Sequence, residues 1–164
     1  MRLTTPLLSA TAIALAACGA ADSEVIRHKI PGSDFPILQA VEVPADATLV
    51  YLSGAGPSVS DETAEPRTPA AYGDITTQTE STLAAIESRL ESIGLTMSDV
   101  IKMQVYIVAA SVEDSLDFGG FMEGYVKFFG TEEQPNLPTR SVFEVAGLAN
   151  PGWLIEIEVV AVRD

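Results

Sequence analysis

The chain has 164 residues, a hydrophobic fraction of 47%, and 9 Lys+Arg against 23 Asp+Glu, for a formal net charge of −14 at pH 7. The length points to one domain with ample apolar material for a core. The acidic balance argues against nucleic acid as a partner, since phosphate binding needs cationic surface, and against a surface helix held to anionic lipid.

Residues 1–18 read as a targeting segment. Met1-Arg2 supplies a short positive region, and Pro6 to Ala17 is apolar but too short to span a bilayer. The segment ends in Leu15-Ala16-Ala17-Cys18, followed by Gly19, which resembles the lipobox of bacterial lipoproteins. The resemblance implies cleavage before Cys18, diacylation of that residue, and attachment in the bacterial cell envelope, at the outer membrane facing the periplasm. An ordinary signal peptide with an incidental cysteine is the alternative. The chain has one cysteine, so no internal disulfide framework is available. Residues 19–28 read as a tether and residues 29–164 as the folded domain.

Arg27 to Ile30 begins a first strand, Gln39 to Val43 gives a strand after Pro36, and Leu49 to Leu52 another that ends at Ser53-Gly54. Pro57 to Gly73 is acidic and carries Pro57, Pro66 and Pro69, which predicts a long exposed loop. From Asp74 to Ile93 the residues Ile75, Thr79, Leu83, Ile86, Leu90 and Ile93 recur at helical steps. Asp74 can cap the start, and Gly94 stands where a left-handed stop is expected. Ile101 to Val108 alternates, with Ile101, Met103, Val105 and Ile107 on one side and Lys102, Gln104 and Tyr106 on the other. Leu116 to Phe129 predicts a second amphipathic helix, weakened by Gly119 and Gly120 and stopped by Gly130. Two terminal strands, around Arg140-Ser141-Val142 and from Ile155 to Val162, are joined across Gly147 to Trp153. The order β-β-β-α-β-α-β-β predicts an α+β two-layer sandwich: one mixed sheet with two helices on one face. The helix-covered face takes Ile101, Met103, Val105, Ile155 and Ile157. The opposite face takes Gln104, Tyr106, Val142, Glu156 and Val160, too apolar for free water and too polar for a core, so a closed ring of subunits would cover it.

The last quarter of the chain carries the chemistry. Arg140 is a rare cation inside an apolar strand, and Glu156 and Glu158 share one face of the next. With both strands in one sheet, guanidinium and carboxylate can converge on a single half-buried face, a pair suited to holding a small carboxylate and placing a water beside it. The plainer reading makes Arg140 an ion-pair residue for Glu144 or Glu158, and Glu158 a solvated side chain. His28 is the only histidine and belongs on an exposed surface, with no metal cluster around it; Ser53 has no histidine partner for a triad.

A run of motifs in order resembles the reactive-intermediate deaminase family, RidA or YjgF: Ser53-Gly54, Gln78-Thr79, Gly94-Leu95 with Asp99-Val100, Tyr125 with Phe128-Phe129, Pro138-Thr139-Arg140-Ser141, and Ile155-Glu156-Ile157-Glu158 with Ala161-Val162. The likeness runs from about Phe35 to Arg163. It implies a chorismate-mutase-like homotrimeric barrel with a site in each cleft between neighbours. It also implies hydrolysis of enamines and imines to 2-keto acids and ammonia with no cofactor and no metal. Carried over by motif, the carboxylate clamp falls on Arg140, the water-positioning carboxylate on Glu156 and a binding serine on Ser53. Three positions depart from the family pattern: Ile37 stands for a tyrosine, Met122 for an asparagine and Val142 for a frequent cysteine. These make the pocket more apolar and suit a bulkier imine. The competing function is a non-catalytic trimer that binds small carboxylates or shields other proteins at the envelope. A ribonuclease activity, suggested by an older family name, lacks both the basic surface and a histidine near the cleft.

Overall fold

The structure is a computed structural model and describes residues 24–109 and 115–163. Its described elements run β1 (Ile26–Lys29), β2 (Leu38–Glu42), β3 (Thr48–Ala55), α1 (Pro69–Tyr72), α2 (Ile75–Glu91), a 3-10 turn (Met97–Asp99), β4 (Val100–Ile107), α3 (Phe118–Tyr125), β5 (Thr139–Glu144) and β6 (Ile155–Arg163). Strands β3, β6, β4 and β5 form one mixed sheet in that order, parallel only between β4 and β5. Helices α2 and α3 pack on it, giving the expected α+β two-layer arrangement.

The main helix follows its sequence signals. Asp74 caps α2 by accepting the Thr77 N–H at 2.8 Å, and Ile75, Thr79, Leu83, Ile86 and Leu90 are buried along one stripe. Gly94 takes φ +74, and the Leu95 N–H donates to the Leu90 carbonyl at 2.9 Å, closing the helix end. Ile93 lies beyond that end and is exposed rather than part of the stripe. Helix α3 is shorter than its periodicity suggested. Two of its glycines serve contact with α2: a Cβ on Gly124 would stand 2.8 Å from the Thr79 Cβ, and Thr76 Oγ1 donates to the Gly120 carbonyl at 3.0 Å.

Four expectations are corrected. The segment from Pro57 to Gly73 is not wholly an exposed loop, because it forms α1 and buries Pro57, Ala71 and Tyr72. Strands β1 and β2 pair as a separate two-stranded sheet, held to the start of β5 by the Leu38 N–H donating to the Pro138 carbonyl at 3.0 Å. Proline has no N–H with which to extend that ladder. The register of β4 shifts between Val100 and Lys102, so Val100 joins the core cluster while Ile101, though buried, does not. Val142 pairs with Val105, not with Gln104, and therefore packs toward the helices; Phe143 takes its place on the open face beside Tyr106, ring centroids 6.1 Å apart. The open face also presents Leu49, Tyr51 and Val160, with Tyr51 74% exposed.

Candidate active site

Arg140 pairs with Met103 in the β4–β5 ladder, which aims its side chain at the helix-covered face. There it enters a cage of rings. The guanidinium carbon lies 4.2 Å from the ring centre of Tyr125, 5.0 Å from Phe121, 5.6 Å from Phe35 and 5.9 Å from Phe118. The rings attract the cation through their negative faces. Nη2 donates to the Met122 sulfur at 3.2 Å, a weak acceptor, and Nη1 is buried with no hydrogen-bond partner. Neither carboxylate that the sequence offered is used. Glu144 accepts the Leu116 N–H at 3.3 Å, and Glu158 accepts the Tyr106 hydroxyl at 3.3 Å. Among the described residues no carboxylate forms an ion pair with Arg140. Burial lowers the guanidinium pKa, partly opposed by Tyr125. Burial pushes the Tyr125 phenol up to about 12 despite the opposing guanidinium, so it stays neutral near pH 7 and donates to the Pro36 carbonyl at 2.9 Å.

A half-buried cation with one enclosed, empty donor is costly unless an anion completes it. Planar donors in a low-dielectric cage suit a carboxylate. Met122 touches the guanidinium directly, and Ile37 is half-buried beside Pro36, in the segment that Tyr125 pins. Val142 is half-buried two residues along the same face as Arg140.

Glu156 lies elsewhere. It pairs with Tyr106 and faces the open side of the sheet. A bulge in β3 between Leu52 and Ala55 brings Ser53 and Gly54 beside it, and a Cβ on Gly54 would collide with the Glu156 Oε1. Arg89 of α2 donates to the carbonyls of Ser53 and Gly54 at 3.3 and 3.4 Å, holding the bulge. Ser53 itself is exposed. Glu158 is half-buried and bonded to Tyr106, not simply solvated. Burial, then the Glu158 charge, raises the Tyr106 pKa.

The expected convergence of Arg140 and Glu156 on one face within a chain is therefore overturned. They stand two strands apart and three residues along, roughly 14 Å between backbones by strand spacing, with side chains on opposite faces. Alternation places residues on faces only once the pairing is known, and here Arg140 pairs with inward Met103 while Glu156 pairs with outward Tyr106. Sequence reasoning missed Phe35, Phe118 and Phe121 as neighbours of Arg140. A cluster of aromatics around α3 was the available signal. Cys18 lies outside the described residues. His28 is exposed and pairs with Glu42 at 2.7 Å.

The endoribonuclease L-PSP family model matches residues 36–163. A RutC family protein of Haemophilus influenzae is 35% identical over 136 residues, 83% of this chain and 93% of the relative. A 2-iminobutanoate/2-iminopropanoate deaminase of Salmonella typhimurium is 32% identical over 139 residues, 85% of this chain and 96% of the relative. The crystal structure of Escherichia coli TdcF with bound serine superposes with a TM-score of 0.56 at 31% identity, covering 85% of this chain and 98% of that one.

Proposed function

We propose a function from one premise: this chain belongs to the RidA/YjgF family of reactive-intermediate deaminases. It hydrolyses 2-imino acids or their enamine tautomers to 2-oxo acids and ammonia, without a cofactor. The observation that carries this reading is the buried Arg140 Nη1 with no partner in an aromatic cage. The substrate carboxylate accepts from that edge of the guanidinium. Glu156 accepts a proton from water as the water oxygen bonds to the imine carbon. The same proton then goes to nitrogen to give a carbinolamine, whose hydroxyl proton follows to nitrogen as the carbon–oxygen double bond forms and the carbon–nitrogen bond breaks, and ammonia leaves. Imine and ketone carbons share one oxidation level, so the sequence needs no redox partner. Positioning the water against an already electrophilic carbon supplies much of the acceleration.

Because Arg140 and Glu156 face opposite ways in one chain, the complete site forms between copies. A homotrimer brings the Glu156 and Ser53 half of one subunit to the Arg140 half of its neighbour, and the apolar open face with Tyr51, Tyr106 and Phe143 becomes the contact. Cys18 anchors the assembly to the envelope through lipid. A second reading, a non-catalytic carboxylate-binding trimer, is favoured by the enclosure of Nη1 and by Met122 and Ile37 in this half of the site. Turnover separates the two. The purified full chain is mixed with imines freshly made by an amino-acid oxidase, and 2-oxo acid release is followed. A rate no faster than spontaneous hydrolysis would retire the enzyme and leave the binding module.

A further inference from the structure

The cage around Arg140 has a floor and a roof. Phe121 and Tyr125 are fully buried and form the floor, whereas Phe35 is 42% exposed and Phe118 is 38% exposed. The two exposed rings stack on each other, centroids 6.4 Å apart and planes 17° from parallel, and both lie over the guanidinium. They are held in place from both sides. Phe118 opens α3 behind the Asp117 cap, which accepts the Gly120 N–H at 2.9 Å. Phe35 is fixed by its own N–H donating to Ser33 Oγ at 3.1 Å and by the Tyr125 bond to the next carbonyl, Pro36. Within one chain, Phe35 and Phe118 are the solvent-facing rings of the cage around the guanidinium.

A carboxylate that reaches Nη1 from this exposed side parts the two rings. A ligand with a methyl or ethyl side chain leaves both rings separated and wetted. A ligand with an aromatic or bulky apolar side chain restores the stack with its own surface. We propose that Phe35 and Phe118 are specificity-determining residues that select 2-imino acids bearing aromatic or bulky apolar side chains over the small ones. The proposal rests on the deaminase reading for its reaction, but the selection belongs to the carboxylate pocket and is measurable without turnover.

The test compares kcat/KM of the full chain for 2-imino-3-phenylpropanoate and for 2-iminopropanoate, each generated in place. Wild type should favour the aromatic imine by about tenfold or more, the scale of one aromatic contact. Phe35→Ala and Phe118→Ala should each bring the ratio close to one, chiefly through KM, and Phe35→Leu should keep most of it. Phe35→Ala truncates a ring that lies at the surface of the cage, so a cooperative thermal melt, lowered by the lost contact with Phe118, should still report a folded protein. A wild-type preference for 2-iminopropanoate, or a ratio unmoved in both alanine variants, would overturn the selection and leave the deaminase standing. Calorimetric binding of the two 2-oxo acids, 3-phenyl-2-oxopropanoate and 2-oxopropanoate, reads the same preference. Tenfold tighter binding of the aromatic acid with no turnover of either imine would keep the selection and retire hydrolysis. Equal binding of the two, or no binding of either, would overturn the selection.

Discussion

Replacing Arg140 gives the sharpest test of the site. The wild-type guanidinium lies within 6 Å of four ring centres, spends one nitrogen on the Met122 sulfur and leaves Nη1 without a partner. If that edge receives the substrate carboxylate, the contact is charge-assisted and desolvated. Its loss in Arg140→Ala removes roughly 3–5 kcal/mol from the transition state, on the order of a hundredfold to several thousandfold in kcat/KM. Arg140→Lys should fail almost as badly, because an ammonium is a point charge and cannot hold the sulfur and a carboxylate with one planar fork. The fold should tolerate the alanine change. Removing the side chain loses attraction to the rings but also removes a half-buried charge that has no ion pair among the described residues, and the two effects oppose each other. The assay is imine hydrolysis followed by 2-oxo acid release, with a thermal melt and light scattering to establish that each variant is folded and assembled like wild type. A folded, assembled Arg140→Ala protein with undiminished hydrolysis would refute the reasoning and make the arginine structural.

On the other half of the site, Gly54→Ala forces the Glu156 carboxylate aside at a flexible side-chain end. It should lower kcat by about tenfold or more with little change in melting temperature, and unchanged kcat would separate Glu156 from the water. Tyr51→Asp places a charge on the exposed apolar face; light scattering should read about three subunit masses for the wild-type domain lacking residues 1–18 and a smaller mass for the variant, and a wild-type monomer at micromolar concentration would sink the assembly. The Tyr125 phenol is raised from 10.0 to about 12 in the fold, so the native state holds its proton more tightly than the unfolded chain. Stability is then full below pH 10 and falls by at most roughly 2–3 kcal/mol as pH rises to 12. In urea melts, Tyr125→Phe should lack that component of the alkaline loss, starting about 1 kcal/mol lower for want of the Pro36 bond. Cys18→Ser should release the protein from membranes or stop its processing, and a wild-type chain that takes up no fatty-acid label would remove the anchor.

Much of the fold is written in local pattern. The three- and four-residue spacing from Ile75 to Leu90, the Asp74 cap and the left-handed Gly94 determine α2, because helix formation depends on neighbours within a turn or two. The alternation in Met103-Gln104-Val105-Tyr106-Ile107 and in Ile155 to Ala161 determines two central strands for the same reason. The ordered motifs single out Arg140 and Glu156. What the pattern could not determine was the face on which each strand's set falls relative to the next. A one-residue change of register moves every side chain to the other side of the sheet. The bulge at Val100–Lys102, the bulge at Ser53–Gly54, and the pairing of Arg140 with Met103 are long-range choices settled by packing. They send Arg140 and Val142 toward the helices and Glu156 toward the open face. They also bring Phe35 onto a guanidinium 105 residues away in sequence, through a hairpin that docks at the start of β5. Composition and periodicity carry no trace of that contact, since it exists only once hydrophobic burial has closed the chain around its core.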